Sequence, residues 1–210
     1  MKRTLSVLLF TVLMGMAAIG YTASFDEQNA ERDTNALIAH IEERDNSIVA
    51  TGDVQFNKME NSSGYLVDGE QRVTINCVWY TRQKLKYELG EADPGVGAWK
   101  SGEIYGGKYV ASVIKNADLG MGGRTSPEKF MARLGEPSED AMIVLYLGGY
   151  TVLVDAIIDG NIYYTDNWPA SDLYYGVVEK LEATVEPLSK YLSRPNKKII
   201  QSAVVLTPVS

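Results

Sequence analysis

The chain has 210 residues, of which 45% are hydrophobic and 22% are charged. These proportions are ordinary for a soluble globular domain and exclude a disordered chain. Residues 1–23 hold two basic residues and no acidic one, so the remainder has 18 basic residues against 27 acidic ones, a formal net charge of −9. Because such a surface repels phosphate backbones, we expect no nucleic-acid partner.

The N-terminus has the three-part layout of a secretory signal peptide. Lys2 and Arg3 precede an apolar run from Leu5 to Ile19, and small residues follow as far as Ala23. This layout predicts a signal peptide over residues 1–23, with an uncleaved anchor as the alternative. We therefore expect a secreted, cell-envelope or periplasmic protein with no membrane span after signal removal.

Residues 24–60 are predicted to form an N-terminal extension. Apolar residues at helical spacing predict a helix from Ser24 to Glu43, and the loose alternation from Ser47 to Phe56 predicts a strand. His40 is the only histidine of the chain, and it lacks the partners that a metal site needs. We predict no metal site and no cofactor.

The only cysteine, Cys77, stands where a strand-like run turns into a helical pattern. Apolar residues recur at helical spacing as far as Leu89, and Gly90 follows as a stop signal. A thiol at a helix start is favoured as the nucleophilic thiolate, because the helix dipole is positive there. The alternative interpretation is a small buried hydrophobic residue. A single cysteine cannot form an internal disulfide.

The second half of the chain reads as a hairpin sheet followed by a helix and a final strand. The turn signals are Gly148-Gly149 and Asp159-Gly160 between apolar runs. Together with the Cys77 helix they predict an α+β fold in which that helix packs on an antiparallel sheet. The predicted strands are Met142–Leu147, Tyr150–Ile158, Ile162–Thr165 and Ile199–Leu206, and the predicted helices are Tyr109–Asn116, Ser126–Leu134 and Ser171–Leu192, the last broken at Pro187.

Several segments between Val73 and Trp168 resemble one family. The segment from Asn76 to Arg82 resembles a Cys-x-Trp/Tyr-Tyr helix, and the segment from Gly149 to Asp155 resembles a Gly-His-Val-Ala-Val-Val-Glu strand. Both are features of the CHAP family, secreted papain-like peptidoglycan amidases and endopeptidases related to the NlpC group. The resemblance implies a papain-like domain over residues 61–210, with Cys77 as the nucleophile.

One residue departs from the family pattern. Tyr150 stands where the family has its catalytic histidine, and no histidine follows Cys77. A tyrosine, with a pKa near about 10, is a poor general base at neutral pH. The resemblance places Asp166 in the orienting position, as third catalytic residue. The papain-like double-glycine leader peptidases resemble the chain too, through Asp166-Asn167-Trp168-Pro169, and the same histidine is missing.

These residues suggest a degenerate peptidoglycan amidase or endopeptidase that still binds a peptide or peptidoglycan stem. Aromatic side chains that would line its cleft beside Tyr150 are Trp79, Trp99, Tyr164 and Trp168, which fit a hydrophobic core equally well.

Two alternatives stay open. One is an active cysteine peptidase or amidase with an unorthodox base, in which Asp166 or Asp155 lies near Cys77. The other is a non-catalytic structural or inhibitory envelope protein with a buried Cys77. The residues name no substrate and no oligomeric state.

Overall fold

The computed structural model describes residues 33–57, 66–67, 70–71, 74–90, 94–95, 98–115, 127–195 and 200–209. The predicted signal peptide, residues 1–23, lies outside these ranges. The chain forms two compact units, Met1–His40 and Ile41–Ser210. In the first, residues 33–40 are described and are helical. Everything below concerns the second unit, in which the helix continues over residues 41–51, named α1 here.

The second unit alternates short helices with strands. Its further helices are α2 (Cys77–Leu89), α3 (Pro127–Leu134), α4 (Asn167–Tyr174) and α5 (Leu188–Ser193). Its strands are β1 (Phe56–Asn57), β2 (Leu66–Val67), β3 (Glu70–Gln71), β4 (Thr74–Ile75), β5 (Ile104–Tyr105), β6 (Tyr109–Lys115), β7 (Met142–Leu147), β8 (Tyr150–Ile158), β9 (Asn161–Tyr164), β10 (Thr184–Pro187) and β11 (Ile200–Pro208).

Seven strands form one antiparallel sheet in the order β10-β9-β8-β7-β11-β6-β5. The strands β1 and β4 form a separate pair, as do β2 and β3. The last strand, β11, lies between β7 and β6, so the end of the chain completes the middle of the sheet. The predicted α+β class, the two hairpins of β7, β8 and β9, and the final strand are confirmed.

The sheet buries both faces, as the continuous apolar run of β7 requires. Ile143, Leu145 and Leu147 contribute to one hydrophobic cluster, which also contains Phe130 of α3 and Tyr191 of α5. Because side chains alternate along a strand, the intervening residues of β7 face the opposite cluster, which contains Leu85 and Leu89 of α2. The helix that carries Cys77 therefore packs on the sheet, as predicted.

Three predicted elements are wrong. Residues 109–115 form strand β6 rather than a helix, because its Val- and Ile-containing sequence pairs with β11 along its length. Residues 47–51 continue α1 rather than forming a strand, since Ile48 and Val49 are buried against Trp79 and Tyr80. The predicted helix from Ser171 to Leu192 is interrupted by β10, which pairs with β9.

Within the described ranges, no helix combines the length and the apolar character that crossing a membrane requires.

The turn between β5 and β6 offers a matched test of close packing. Gly106 and Gly107 both have positive φ, 61° and 66°. A Cβ atom at Gly106 would lie 2.6 Å from the Leu89 carbonyl oxygen, whereas one at Gly107 would have nothing within 4 Å. We expect Gly107→Ala to lower the free energy of unfolding by about 1 kcal/mol, the cost of the left-handed backbone. Gly106→Ala adds overpacking strain and should cost about 3 kcal/mol in all.

Urea unfolding of the two variants measures this difference. Equal losses would mean that the end of α2 does not pack on this turn.

Candidate functional site

Three chain segments meet at the start of α2, and we name this region the Cys77 corner. It comprises β4 with the first turn of α2, the start of β8, and the first turn of α4. Asn76 is the N-cap of α2, and its side-chain oxygen accepts hydrogen bonds from the amides of Val78 and Trp79, at 2.9 and 3.2 Å. This cap begins the helix at Cys77.

Helix α4 holds the strand that leads to Cys77. The amide nitrogen of Ile75 donates to the Ser171 hydroxyl, and the Ile75 carbonyl accepts from the Asn167 side-chain amide at 2.7 Å. The Tyr150 hydroxyl in turn donates to the side-chain oxygen of Asn167. Asn167 therefore links Tyr150, which stands where the resembled family has its histidine, to Ile75, two residues before Cys77.

The thiol side of α2 is turned toward β8. The Thr81 hydroxyl donates to the Thr151 carbonyl at 3.3 Å, one residue after Tyr150. Since Cys77 lies four residues before Thr81, the two side chains share one face of the helix. The helix that carries Cys77 therefore contacts the start of β8, whereas the Tyr150 side chain packs against the cluster on the other face of the sheet and reaches Asn167 through its hydroxyl.

The Cys77 side chain is buried. Cys77 is 8% exposed, and its sulfur makes no hydrogen bond within the described part of the chain. The first-turn amides that favour a thiolate at a helix start are partly occupied, because Asn76 accepts from two of them. Fewer amides at the start of α2 are therefore available to a Cys77 thiolate than at an uncapped helix start.

The predicted third residue, Asp166, has another contact. Its carboxylate accepts from the Asn167 amide at 2.7 Å and caps α4. The side chain that Tyr150 contacts belongs to the next residue, Asn167.

The four aromatic residues predicted for a binding cleft do not lie together. Trp99 is buried, donates to the Tyr146 hydroxyl at 2.7 Å and packs edge-on against Tyr105. Tyr164 is buried in the cluster on the opposite face of the sheet and donates to Glu186. Both belong to the core, so the interpretation of a cleft lined by all four is wrong. Trp168 is half-buried in the first turn of α4, and Trp79 is buried against α1.

A buried ionic network lies behind the corner, around Arg44 of α1. The guanidinium donates to both carboxylate oxygens of Asp155, at 2.5 and 3.1 Å, to Asp45 at 2.7 Å and to Glu88 at 2.8 Å. Arg44 and Asp45 are fully buried, and Asp155 is 5% exposed. Burial works against the charge of Arg44, but the carboxylates of Asp155 and Asp45 outweigh it and raise the pKa of Arg44 well above its usual value.

The network continues to the end of β9 through Asp45. Lys84 donates to the carbonyl and the hydroxyl of Thr165, at 2.9 and 2.6 Å, and lies 3.1 Å from the Asp45 carboxylate. The Thr165 hydroxyl also donates to Asp45. Burial raises the pKa of Asp45, but the charges of Lys84 and Arg44 outweigh it and lower that pKa to about 2. Burial, followed by the Asp45 charge, raises the pKa of the adjacent Tyr80.

Arg44, Asp45, Lys84 and Asn167 were not among the predicted site residues. The sequence does contain a signal for the first two, because they fall between the core residues Ile41 and Ile48 at helical spacing. Charged residues on a buried helix stripe indicate a paired interior charge. Asn167 has no comparable local signal.

Two adjoining cavities lie along α2, with volumes of about 580 and 600 Å³. Both are lined by Gln55, Trp79, Gln83 and Lys86. The first also contains Arg82, and the second contains Asp53. We name the combined depression the α2 groove.

Removing the central cation should destabilise the protein strongly. Arg44→Ala leaves the buried Asp155 and Asp45 without their guanidinium, so we expect a loss of about 3–5 kcal/mol in the free energy of unfolding. Arg44→Lys keeps the charge without the fork geometry and should give a smaller loss. Urea unfolding is the measurement. The control is Lys100→Ala, which removes a solvent-exposed pair with Glu103 and should change the stability far less.

Similar losses for Arg44→Ala and Lys100→Ala would contradict the burial of this network.

Asp45 should give the stability a distinct dependence on acid. Its folded pKa of about 2 lies below its ordinary value of 3.8, so its contribution is fully present above about pH 4 and is lost as the pH falls toward 2. We expect Asp45→Asn to be less stable than the unsubstituted protein at pH 5, with the difference shrinking by about 2 kcal/mol on acidification to pH 2. Urea unfolding across this range checks it, and a pH-independent difference would refute the assignment.

No protein-family model, no curated protein and no solved structure matches this chain.

Proposed function

We propose that the protein is a secreted or cell-envelope domain of the papain-like, CHAP-related type that has lost hydrolysis and binds a peptide or peptidoglycan stem. One observation carries the proposal. Tyr150, at the position of the family's catalytic histidine, donates its hydroxyl hydrogen to Asn167 beside the strand that leads to Cys77.

The arrangement of the corner supports a papain-like ancestry. Papain-like proteases use a cysteine, a histidine and an asparagine, in which the asparagine orients the imidazole. Here Cys77 begins a helix that packs on an antiparallel sheet, and Tyr150 begins the adjacent strand. Asn167 follows the next strand and contacts Tyr150 through its side-chain oxygen. The third position of the set is thus filled by Asn167, next to the predicted Asp166.

The chemistry of this set does not support turnover. A cysteine hydrolase needs a base that takes the thiol proton and later protonates the leaving amine, with a pKa near the working pH. Tyr150 is a phenol whose proton is directed at Asn167. No histidine follows Cys77 in the chain. Cys77 is therefore a nucleophile position without its base.

A site of this kind can still bind a ligand after it has lost catalysis. Tyr150 is the first residue of β8, and Trp168 lies in the first turn of α4. Both side chains are half-buried. An aromatic ring that is partly exposed offers apolar area at small entropic cost, which suits the faces of sugars and peptides. We place the peptide or peptidoglycan stem against these two rings.

A structural or inhibitory envelope protein is the second candidate. The observation favouring it is the burial of Cys77, whose sulfur makes no hydrogen bond to any described residue. For that function, Cys77→Ser would lower stability and leave every binding activity intact.

Restoring the histidine tests the proposal. We expect the unsubstituted protein to release no products from peptidoglycan fragments. In Tyr150→His an imidazole replaces the phenol next to Asn167, so the alkylation of Cys77 by iodoacetamide at pH 7 should accelerate about tenfold or more. Tyr174→His, at a tyrosine that is 48% exposed on α4, is the matched control and should leave the rate unchanged. Cys77→Ala gives the background rate.

Two outcomes would overturn the proposal separately. Hydrolysis by the unsubstituted protein that disappears in Cys77→Ala would show an active enzyme with another base. A folded Tyr150→His variant whose thiol reacts no faster than that of the unsubstituted protein would remove the papain-like assignment.

A further inference from the structure

We propose that the α2 groove is a binding site for an extended peptide segment that carries an acidic side chain. This site goes beyond the function proposed for the Cys77 corner, with which it shares Asn76, Val78 and Trp79 at the start of α2. The groove consists of the two adjoining cavities along α2, which share Gln55, Trp79, Gln83 and Lys86.

Helical geometry places the groove on the opposite side of α2 from the thiol. Lys86 lies nine residues after Cys77, which is two and a half turns at 3.6 residues per turn. The two side chains therefore point in opposite directions. Cys77, Thr81 and Lys84 are buried on the side of β8 and β9, whereas Lys86 is exposed in the groove.

The groove contains hydrogen-bonding groups that the described chain does not use. The side chains of Gln55, Gln83 and Lys86 make no hydrogen bond and no ion pair with any residue in the described ranges. Amide side chains carry both donors and acceptors, which match the alternating N–H and C=O groups of a peptide backbone. Because Gln55 and Gln83 contribute to both cavities, a ligand backbone can follow the groove between them.

The floor of the groove is fixed by a close backbone contact. The ring of Trp79 packs on Gly52, where a Cβ atom would lie 3.1 Å from two ring carbons and 2.5 Å from the Ile48 carbonyl oxygen. The ring is therefore held before any ligand arrives, and pre-organisation lowers the entropic cost of binding. From Trp79 to Lys86 the helix rises about 10 Å, which is the length of three extended residues.

The charges of the groove select an acidic segment. Arg82 and Lys86 line the first cavity, and its described lining residues include no carboxylate, on a chain with 27 acidic against 20 basic residues. A carboxylate placed there forms a charge-assisted hydrogen bond with Lys86. Asp53 lines the second cavity and repels a polyanion that runs along the whole groove. A peptide with one carboxylate therefore fits better than a polyphosphate or a nucleic acid.

An NMR titration of the full chain tests the site. The probes are acetyl-Ala-Glu-Ala-amide and its neutral counterpart acetyl-Ala-Gln-Ala-amide, and the signal is the indole N–H of Trp79, identified by its loss in Trp79→Phe. We expect a saturable shift of this signal with the glutamate peptide and about tenfold weaker binding of the glutamine peptide, an energy typical of one charge-assisted contact.

Charge reversal in the groove supplies the matched pair of variants. Lys86→Glu should weaken the binding of the glutamate peptide about tenfold, because it replaces an attraction with a repulsion. Lys180→Glu changes an exposed lysine outside the groove, one that is 63% exposed, and should leave the affinity unchanged.

Three results would overturn the proposal. Equal affinities for the two peptides would show that the groove does not recognise the carboxylate. Equal effects of Lys86→Glu and Lys180→Glu, or a Trp79 signal that does not move, would place binding elsewhere. Inorganic phosphate that competes with the peptide at equal concentration would identify a general anion site.

Discussion

The fold depends on how the buried guanidinium of Arg44 is neutralised. An isolated charge in a protein interior costs several kcal/mol, so Arg44 is tolerated only with its carboxylates in place. Those carboxylates come from its own helix, from α2 and from β8, at Asp45, Glu88 and Asp155. Strand β8 has a register irregularity between Val154 and Ala156, where Asp155 lies. Such a bulge re-aims a side chain, and here Asp155 meets the guanidinium.

The same network determines the geometry of the Cys77 corner. Asp45 and Lys84 both contact Thr165, which lies two residues before Asn167. The end of β9 is therefore held by buried ionic contacts, and the first turn of α4 begins from that held position. Tyr150 meets Asn167 at this point, so its orientation depends on charges that do not touch it. These charges are fully paired with one another and offer no general base to the thiol.

Local patterns predicted the elements whose partners are neighbours in sequence. The hairpins of β7, β8 and β9 follow from apolar runs separated by two-residue turns, and Gly149 and Gly160 have the positive φ that such turns need. Strand β6 was missed because its main partner, β11, lies about 90 residues further along the chain. The same distinction applies to the site residues. The Cys77 helix has a local sequence signature, whereas Arg44 and Asp155 are 111 residues apart. No local pattern specifies such a pair.

Helix α2 has two faces with opposite physical roles. The face with Cys77 and Lys84 is buried, and the charge of Lys84 is paired with Asp45. The face with Gln83 and Lys86 is open, and the side chains of these two residues have no partner among the described residues. Catalysis demands complementarity to a transition state, whereas binding needs only a pre-formed surface with unsatisfied groups. Within this helix the second requirement is met on the side away from the thiol.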